Sequence, residues 1–330
     1  MLALTGFATI GFFLLLIITR RLSVITALVL VPLVMGFVAG VDPKELGEMM
    51  LAGIRQVAPT GILLMFAVLY FATMLDAGLF DPIIAGIVRY VQGDPLKVIV
   101  GTAVLTMIVH LDGDGTATFM IVLSAFLPIY RQLGIRKTVL PGIVALSVGP
   151  LHLVPWSGTS ARAISTLKTE ANLLFNPNIP AIIAGIGWVL AVAYWLGRQE
   201  RKRIGIQPLD YVHQENLTES QRALRRPKLI LVNALLTISL LVSLIKGWVP
   251  TPVLFVVASM LALFINFPRL SDQQNVLKAH GSNIFMVSGM IFAAGIFSGI
   301  LTGSKMIDAM AKALVSLIPE QHASLLPTLT

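Results

Sequence analysis

Seven stretches of this chain, 2–19, 22–40, 59–76, 178–197, 229–246, 250–267 and 284–302, are almost entirely apolar. Each approaches the roughly 20 residues that a helix needs to cross the hydrocarbon core of a bilayer. A soluble fold of 330 residues, 56% of them hydrophobic and only 12% charged, could not hide so much apolar surface. The expected fold class is an all-α polytopic membrane protein. The first run has no basic residue ahead of it and is followed by a second, which marks a first transmembrane helix and not a cleaved signal peptide. There is no cysteine, so disulfides and thiol chemistry are excluded. The net charge of +8 is no nucleic-acid signature, because 8 of the 24 Lys and Arg lie in one polar segment, Arg198–Lys228. That segment has the character of a cytoplasmic loop under the positive-inside rule.

Between two further apolar runs, "VIVGTAVLTMIV" (98–109) and "MIVLSAFLPIY" (120–130), stands "HLDGDGTATF" (110–119). Each arm would rise roughly 18 Å, too little for a full crossing. One broken crossing fits there, and so does a re-entrant hairpin. The basic residues decide. With Arg20-Arg21 inside, counting crossings puts 77–97 and 198–228 inside too. A hairpin over 98–130 keeps Arg131, Arg136 and Lys137 on that side as well, whereas a single crossing would expel them. An amphipathic interfacial helix is expected at 81–92, just before it.

The stretch 139–174 starts as an apolar helix, meets Gly149-Pro150 and Pro155, passes through "WSGTS" and resumes a helical pattern at Ala161. Proline removes a backbone donor and interrupts the hydrogen-bond ladder. We expect a broken helix with a polar centre. The alternative is a short crossing at 139–155 with Trp156 in an interfacial aromatic belt.

A shift of about 226 residues lays 2–19 on 229–246, 22–40 on 250–267 and 59–76 near 284–302. An odd number of crossings lies between the copies, which makes them inverted. The expected organisation is a first repeat over 1–197, a cytoplasmic linker over 198–228 and an incomplete second repeat over 229–330. The second copy stops where its own hairpin is due, so the chain is expected to lack roughly a hundred residues of a complete two-repeat fold.

In order along the chain, "LDGDGTATF", "LPGIVALSVG", "PWSGTSARA" and "LLFNPNIPA" resemble the citrate–metal:proton symporter family (CitMHS) of the ion transporter superfamily. The resemblance covers most of the chain and is densest over 98–200. It implies two inverted repeats, each with a re-entrant hairpin and a broken helix meeting at the substrate. It also implies proton-coupled symport of citrate complexed with a divalent cation. In place of the family's Gly-Gly-Pro-Thr after Pro-Trp, this chain has Ser157-Gly158-Thr159-Ser160.

Several residues suit that chemistry. Asp112 and Asp114 are hard oxygen donors for Mg²⁺ or Ca²⁺, and if held close together they would repel, which raises one pKa and suits a proton carrier. Carboxylates at membrane depth are costly and usually functional; the plain alternative is an aqueous turn. Thr116 and Thr118 offer hydroxyls near a helix N-terminus, where they would serve an anion or simply cap the helix. Ser157, Gly158, Thr159, Ser160 and Arg162 form a second cluster, in which Arg162 suits bidentate carboxylate recognition or snorkels at the interface. His110 suits a proton relay, since an unperturbed imidazole changes charge near neutral pH. His152 is a lone histidine that would more simply satisfy one hydrogen bond. Asp76, Asp81, Arg89 and Asp94 have the look of ordinary interfacial charges.

The expected function is proton-coupled symport of citrate with co-transported Mg²⁺ or Ca²⁺, with no permanently bound cofactor and no nucleic-acid partner. By superfamily analogy the protein is a homodimer, placed in the cell (inner) membrane. A cation/proton antiporter, or another di- or tricarboxylate transporter of the superfamily, is the alternative. The antiporter has no need of Arg162. The sequence has no His-Glu-x-x-His and no Ser–His pairing, so an intramembrane enzyme is not expected.

Overall fold

Ser23 and Asp42 show how the first helices of this chain are punctuated. The Ser23 hydroxyl accepts from the Thr26 amide and opens the second helix. The Asp42 carboxylate accepts from the Lys44 amide at 2.9 Å, with Pro43 at the first helical position. Both are strong N-terminal signals, since proline there forfeits only a donor that the helix would leave unpaired. The computed structural model describes residues 1–91, 93–112, 115–167, 169–207 and 219–316.

Among the described residues every regular element is helical: α1 (Leu2–Ile18), α2 (Val24–Val38), α3 (Pro43–Asp76), α4 (Asp81–Val91), α5 (Pro95–Val109), α6 (Gly115–Gln132), α7 (Val139–Val148), α8 (Gly158–Leu167), α9 (Ala171–Ile204), α10 (Glu219–Leu224), α11 (Ile230–Lys246), α12 (Thr251–Asn266), α13 (Leu270–Gly303) and α14 (Met306–Ser316). Short 3-10 turns occupy His110–Asp112, Gly149–Leu153 and Pro227–Leu229. Among the described residues five segments are long and apolar enough to cross a membrane: Pro43–Asp76, Val139–Ile164, Ala171–Ile204, Arg222–Lys246 and Leu270–Gly303. The chain is an all-α polytopic membrane protein.

Helix ends depart from the apolar runs in both directions. α3, α9 and α13 each hold 34 residues, because their helical ladders continue into polar sequence that an apolar count leaves out. Residues 198–204 are thus helix and not loop, and residues 171–174 open α9 instead of closing the broken helix. α1, α2 and α12 are shorter than their apolar runs, at 17, 15 and 16 residues. Tilt and local bilayer thinning accommodate such lengths at modest cost. The succession α1–α4 has lengths of 17, 15, 34 and 11 residues, and α11–α14 has 17, 16, 34 and 11.

The chain divides into two compact units, Met1–Gly61 with Met286–Thr330, and Ile62–Phe285. In the first, α3 and α13 cross with their backbones in contact. A Cβ on Gly53 would lie 2.0 Å from the Gly295 carbonyl oxygen, and one on Gly299 would lie 2.3 Å from that of Met49. Only glycine permits this approach, which is how small residues let membrane helices pack closely. Gly6 on α1 is similarly close to the Met310 side chain on α14.

The second unit holds the core around α5, α6, α7 and α9. A second apolar cluster there gathers Tyr70, Phe71, Trp156 and Phe255, with Trp156 5.4 Å from Phe255 and 5.5 Å from Phe71, ring centroid to centroid. Polar side chains there pair across helices. Asn233 and Asn266 exchange amide hydrogen bonds of 2.8 and 2.9 Å, and the Tyr70 hydroxyl meets that of Thr237 at 2.8 Å. Without water to compensate, each would otherwise cost several kcal/mol at membrane depth.

Candidate functional site

α5 starts at Asp94, whose buried carboxylate accepts from the Leu96 amide at 3.0 Å and from Arg201 of α9 at 2.6 Å. With 15 residues the helix rises roughly 22 Å. α6 returns beside it, and the hydroxyls of Thr102 and Tyr130 meet at 3.1 Å between the arms. The return ends in a left-handed Gly134 (φ +66°), where the Ile135 amide reaches back to the Tyr130 carbonyl at 3.0 Å. That closing pattern needs positive φ and favours glycine. Arg203 of α9 donates to the Gly134 carbonyl at 2.6 Å. Both feet of the hairpin therefore rest on the C-terminal end of α9.

At the tip, His110 ends α5 and opens the 3-10 turn. Its Nδ1 lies 3.0 Å from the Thr118 hydroxyl, and both residues are fully buried. Gly113 and Asp114 lie outside the described residues, as do the side chains of Asp112 and Thr116.

The break faces this tip. α7 stops at Val148, and the 3-10 turn carries the chain past Pro150 to Val154. Val154 is extended (φ −68°, ψ +145°), as the residue ahead of Pro155 is pushed to be. Ser157 then caps α8, its hydroxyl accepting from the Ser160 amide at 3.2 Å. The Ser157 hydroxyl also donates to the His152 carbonyl; Thr159 and Ser160 do the same at 2.7 and 3.1 Å. Three hydroxyls thus close the gap left by the missing proline donors. The Trp156 indole N–H donates to the Leu111 carbonyl at 2.7 Å, and the His110 and His152 rings meet edge to face at 5.3 Å. Trp156 is only 3% exposed, which rules out its place in a wet aromatic belt.

The depth of the break can be measured along α9. A Cβ on Gly185 would lie 3.0 Å from the Pro150 ring, while Glu200 is bonded to Arg136 just ahead of α7. Fifteen residues separate Gly185 from Glu200, a rise of roughly 22 Å.

The arrangement favours an anion. α6 and α8 both start within a few residues of the Leu111–Trp156 contact, and a helix N-terminus carries a partial positive charge and free amide donors. Arg162 is exposed and its Nε donates to the Gly158 carbonyl at 3.0 Å, one turn back. Its guanidinium has no acid partner among the described residues and lies over the first turn of α8. Of the residues picked out in the sequence, the structure brings His110 and Thr118 together at the tip and Ser157, Gly158, Thr159, Ser160 and Arg162 together at the break. Among the described residues no three His, Cys, Asp or Glu side chains gather as a metal set; the carboxylates of Asp112 and Asp114 are not among them.

Two features went beyond the sequence reading. Trp156 clamps the tip to the break. Its signal was present, because a buried indole N–H needs an acceptor. The interfacial acids also turn out to be paired, Asp81 with Arg225 at 2.9 Å and Asp76 with His280 at 2.7 Å. Those partners lie too far along the chain for spacing to suggest them.

Comparison with known proteins bears on this geometry. The family model for citrate transporters (CitMHS) matches residues 13–329. A citrate transporter of Bacillus subtilis (strain 168) is 50% identical over 330 residues, covering all of this chain and 77% of that protein. The Mg(2+)/citrate complex secondary transporter of the same organism is 49% identical over 333 residues, covering all of this chain and 76% of that protein.

Proposed function

Because the chain belongs to the citrate transporter family, whose curated relatives are transporters and not enzymes, we propose that it is a secondary active transporter. Its substrate is citrate complexed with a divalent cation of the Mg²⁺ or Ca²⁺ type, moved in symport with protons. One observation carries the reading: the N-terminal ends of α6 and α8 start beside one tip–break contact, with Arg162 over the first turn of α8. Broken helices that aim their N-termini at an anionic substrate are the recurring solution in transporters. A metal–citrate complex retains net negative charge and a carboxylate that the metal leaves free, which Arg162 binds. The N–H groups at Gly158 and the hydroxyls of Thr116, Thr118, Ser157, Thr159 and Ser160 complete the anion site. Asp112 and Asp114 contact the cation or carry the coupled proton, and His110 relays protons.

The closely matched lengths of α1–α4 and α11–α14 support the inverted repeat over 1–197 and 229–330. The shared footing of α5 and α6 on α9 supports a hairpin that enters and leaves on the cytoplasmic side. The reading places the protein in the inner membrane, with 198–228 cytoplasmic and a homodimer as the working unit. The name of one relative, a Mg(2+)/citrate complex secondary transporter, favours symport over the cation/proton antiporter alternative.

The test is uptake of labelled citrate by cells expressing the chain, with and without Mg²⁺ or Ca²⁺, across an imposed pH gradient. Uptake that needs both the cation and the gradient is expected. Citrate uptake indifferent to both overturns the metal and proton parts of the reading. An Asp114→Asn variant with unchanged pH dependence removes the coupling role from Asp114.

A further inference from the structure

The turn from α6 to α7 carries three cations in seven residues, Arg131, Arg136 and Lys137, and α9 brings Arg203 beside them. Together with Leu127 and Leu140 they line an open cavity of about 690 Å³. Among the described residues the one acid bonded to any of these four is Glu200, which is fully buried and paired with Arg136 and Arg203. Four cations against one carboxylate leave an excess of three positive charges. Arg131 and Lys137 are exposed and have no acid partner among the described residues. The cavity volume is in the range of sites that hold a small organic ligand. Its walls combine two chemistries, the guanidinium and ammonium groups and the apolar side chains of Leu127, Ile135 and Leu140. α6 is apolar for most of its length beyond this end, so the rim lies where the apolar part of the helix gives way to charge.

We propose that this cavity binds an anionic phospholipid, its phosphate held by Arg131, Arg136, Lys137 and Arg203 and its acyl chain running past Leu127 along α6. Basic pockets between membrane helices are suited to such headgroups, and each Lys or Arg near an anionic surface contributes appreciably to attraction. A lipid seated here bridges the turn between hairpin and broken helix to the end of α9. It braces the feet of both candidate substrate-binding elements without touching the substrate.

The experiment measures binding of fluorescent phosphatidylglycerol to the purified full chain in a zwitterionic detergent, with phosphatidylcholine as control. Phosphatidylglycerol is expected to bind in preference, and R131Q/K137Q to weaken it by about thirtyfold. Millimolar inorganic phosphate or citrate is expected to leave the lipid bound. If the double variant does not fold, Lys137→Gln alone is expected to weaken binding about fivefold, since its ammonium makes no ion pair among the described residues. Equal binding of the two lipids, unchanged binding by a folded variant, or full displacement by phosphate would overturn the proposal. The last result would assign the cavity to a free anion. None of these outcomes depends on whether citrate is the transported substrate.

Discussion

Trp156 does two jobs with one side chain. Its ring fills the cluster of Phe71 and Phe255, and its N–H holds the Leu111 carbonyl at the hairpin tip. Trp156→Phe keeps most of the ring and removes the donor. The expected cost is about 1–3 kcal/mol, that of stranding a buried acceptor, read as a lower midpoint in thermal unfolding of the purified protein. Arg162 makes the opposite prediction. It is exposed, and its described hydrogen bond is to its own helix, so Arg162→Ala leaves the unfolding midpoint within the small range of surface substitutions. Under the proposed function the same variant raises the KM for citrate by about tenfold or more, the worth of a charged hydrogen bond. An unchanged KM would remove Arg162 from the site. Ser157 is legible from sequence as a cap ahead of α8. The convergence of three hydroxyls on the His152 carbonyl was not, because it depends on how Pro150 and Pro155 bend the chain between them.

At the scale of elements, α9 is the strut on which the hairpin and the broken helix rest. Gly197 is where α5 presses closest, since a Cβ there would lie 2.8 Å from Leu96 Cα. Gly197→Ala therefore pushes backbone against backbone and is expected to cost about 1–3 kcal/mol. Gly187 on the same helix has nothing within 4 Å of an added Cβ. Gly187→Ala should stabilise by up to about 1 kcal/mol through helix propensity. Thermal unfolding of the two variants side by side checks the pair, and equal shifts would deny α9 its role as a close-packed strut. The existence of α5, α6, α7 and α8 was legible from two prolines, one glycine-rich tip and the length of the apolar arms. Their ends were not, because an apolar count stops at Gly197 while the helix runs on to Ile204. The extra turns persist because Glu200 is satisfied by Arg136 and Arg203.

At the scale of the whole molecule, the absence of cysteine makes topology directly testable. Single cysteines at Lys97 and Lys137 report the two feet of the hairpin. Both are expected to react with a membrane-impermeant maleimide from the cytoplasmic side and from no other, and labelling from opposite sides would turn the hairpin into a crossing. What the sequence by itself determined is a membrane protein of helices, with a polar tip, a proline break and the family to which these belong. Apolar run length, proline and capping hydroxyls act over one or two helical turns, so they are visible in any short window. Only the tertiary structure decided which polar groups answer one another. Trp156 reaches Leu111 across 45 residues and Arg201 reaches Asp94 across 107. In a bilayer every buried donor must find an acceptor inside the protein. The sequence states that demand, and only the packing of helices far apart in the chain determines where it is met.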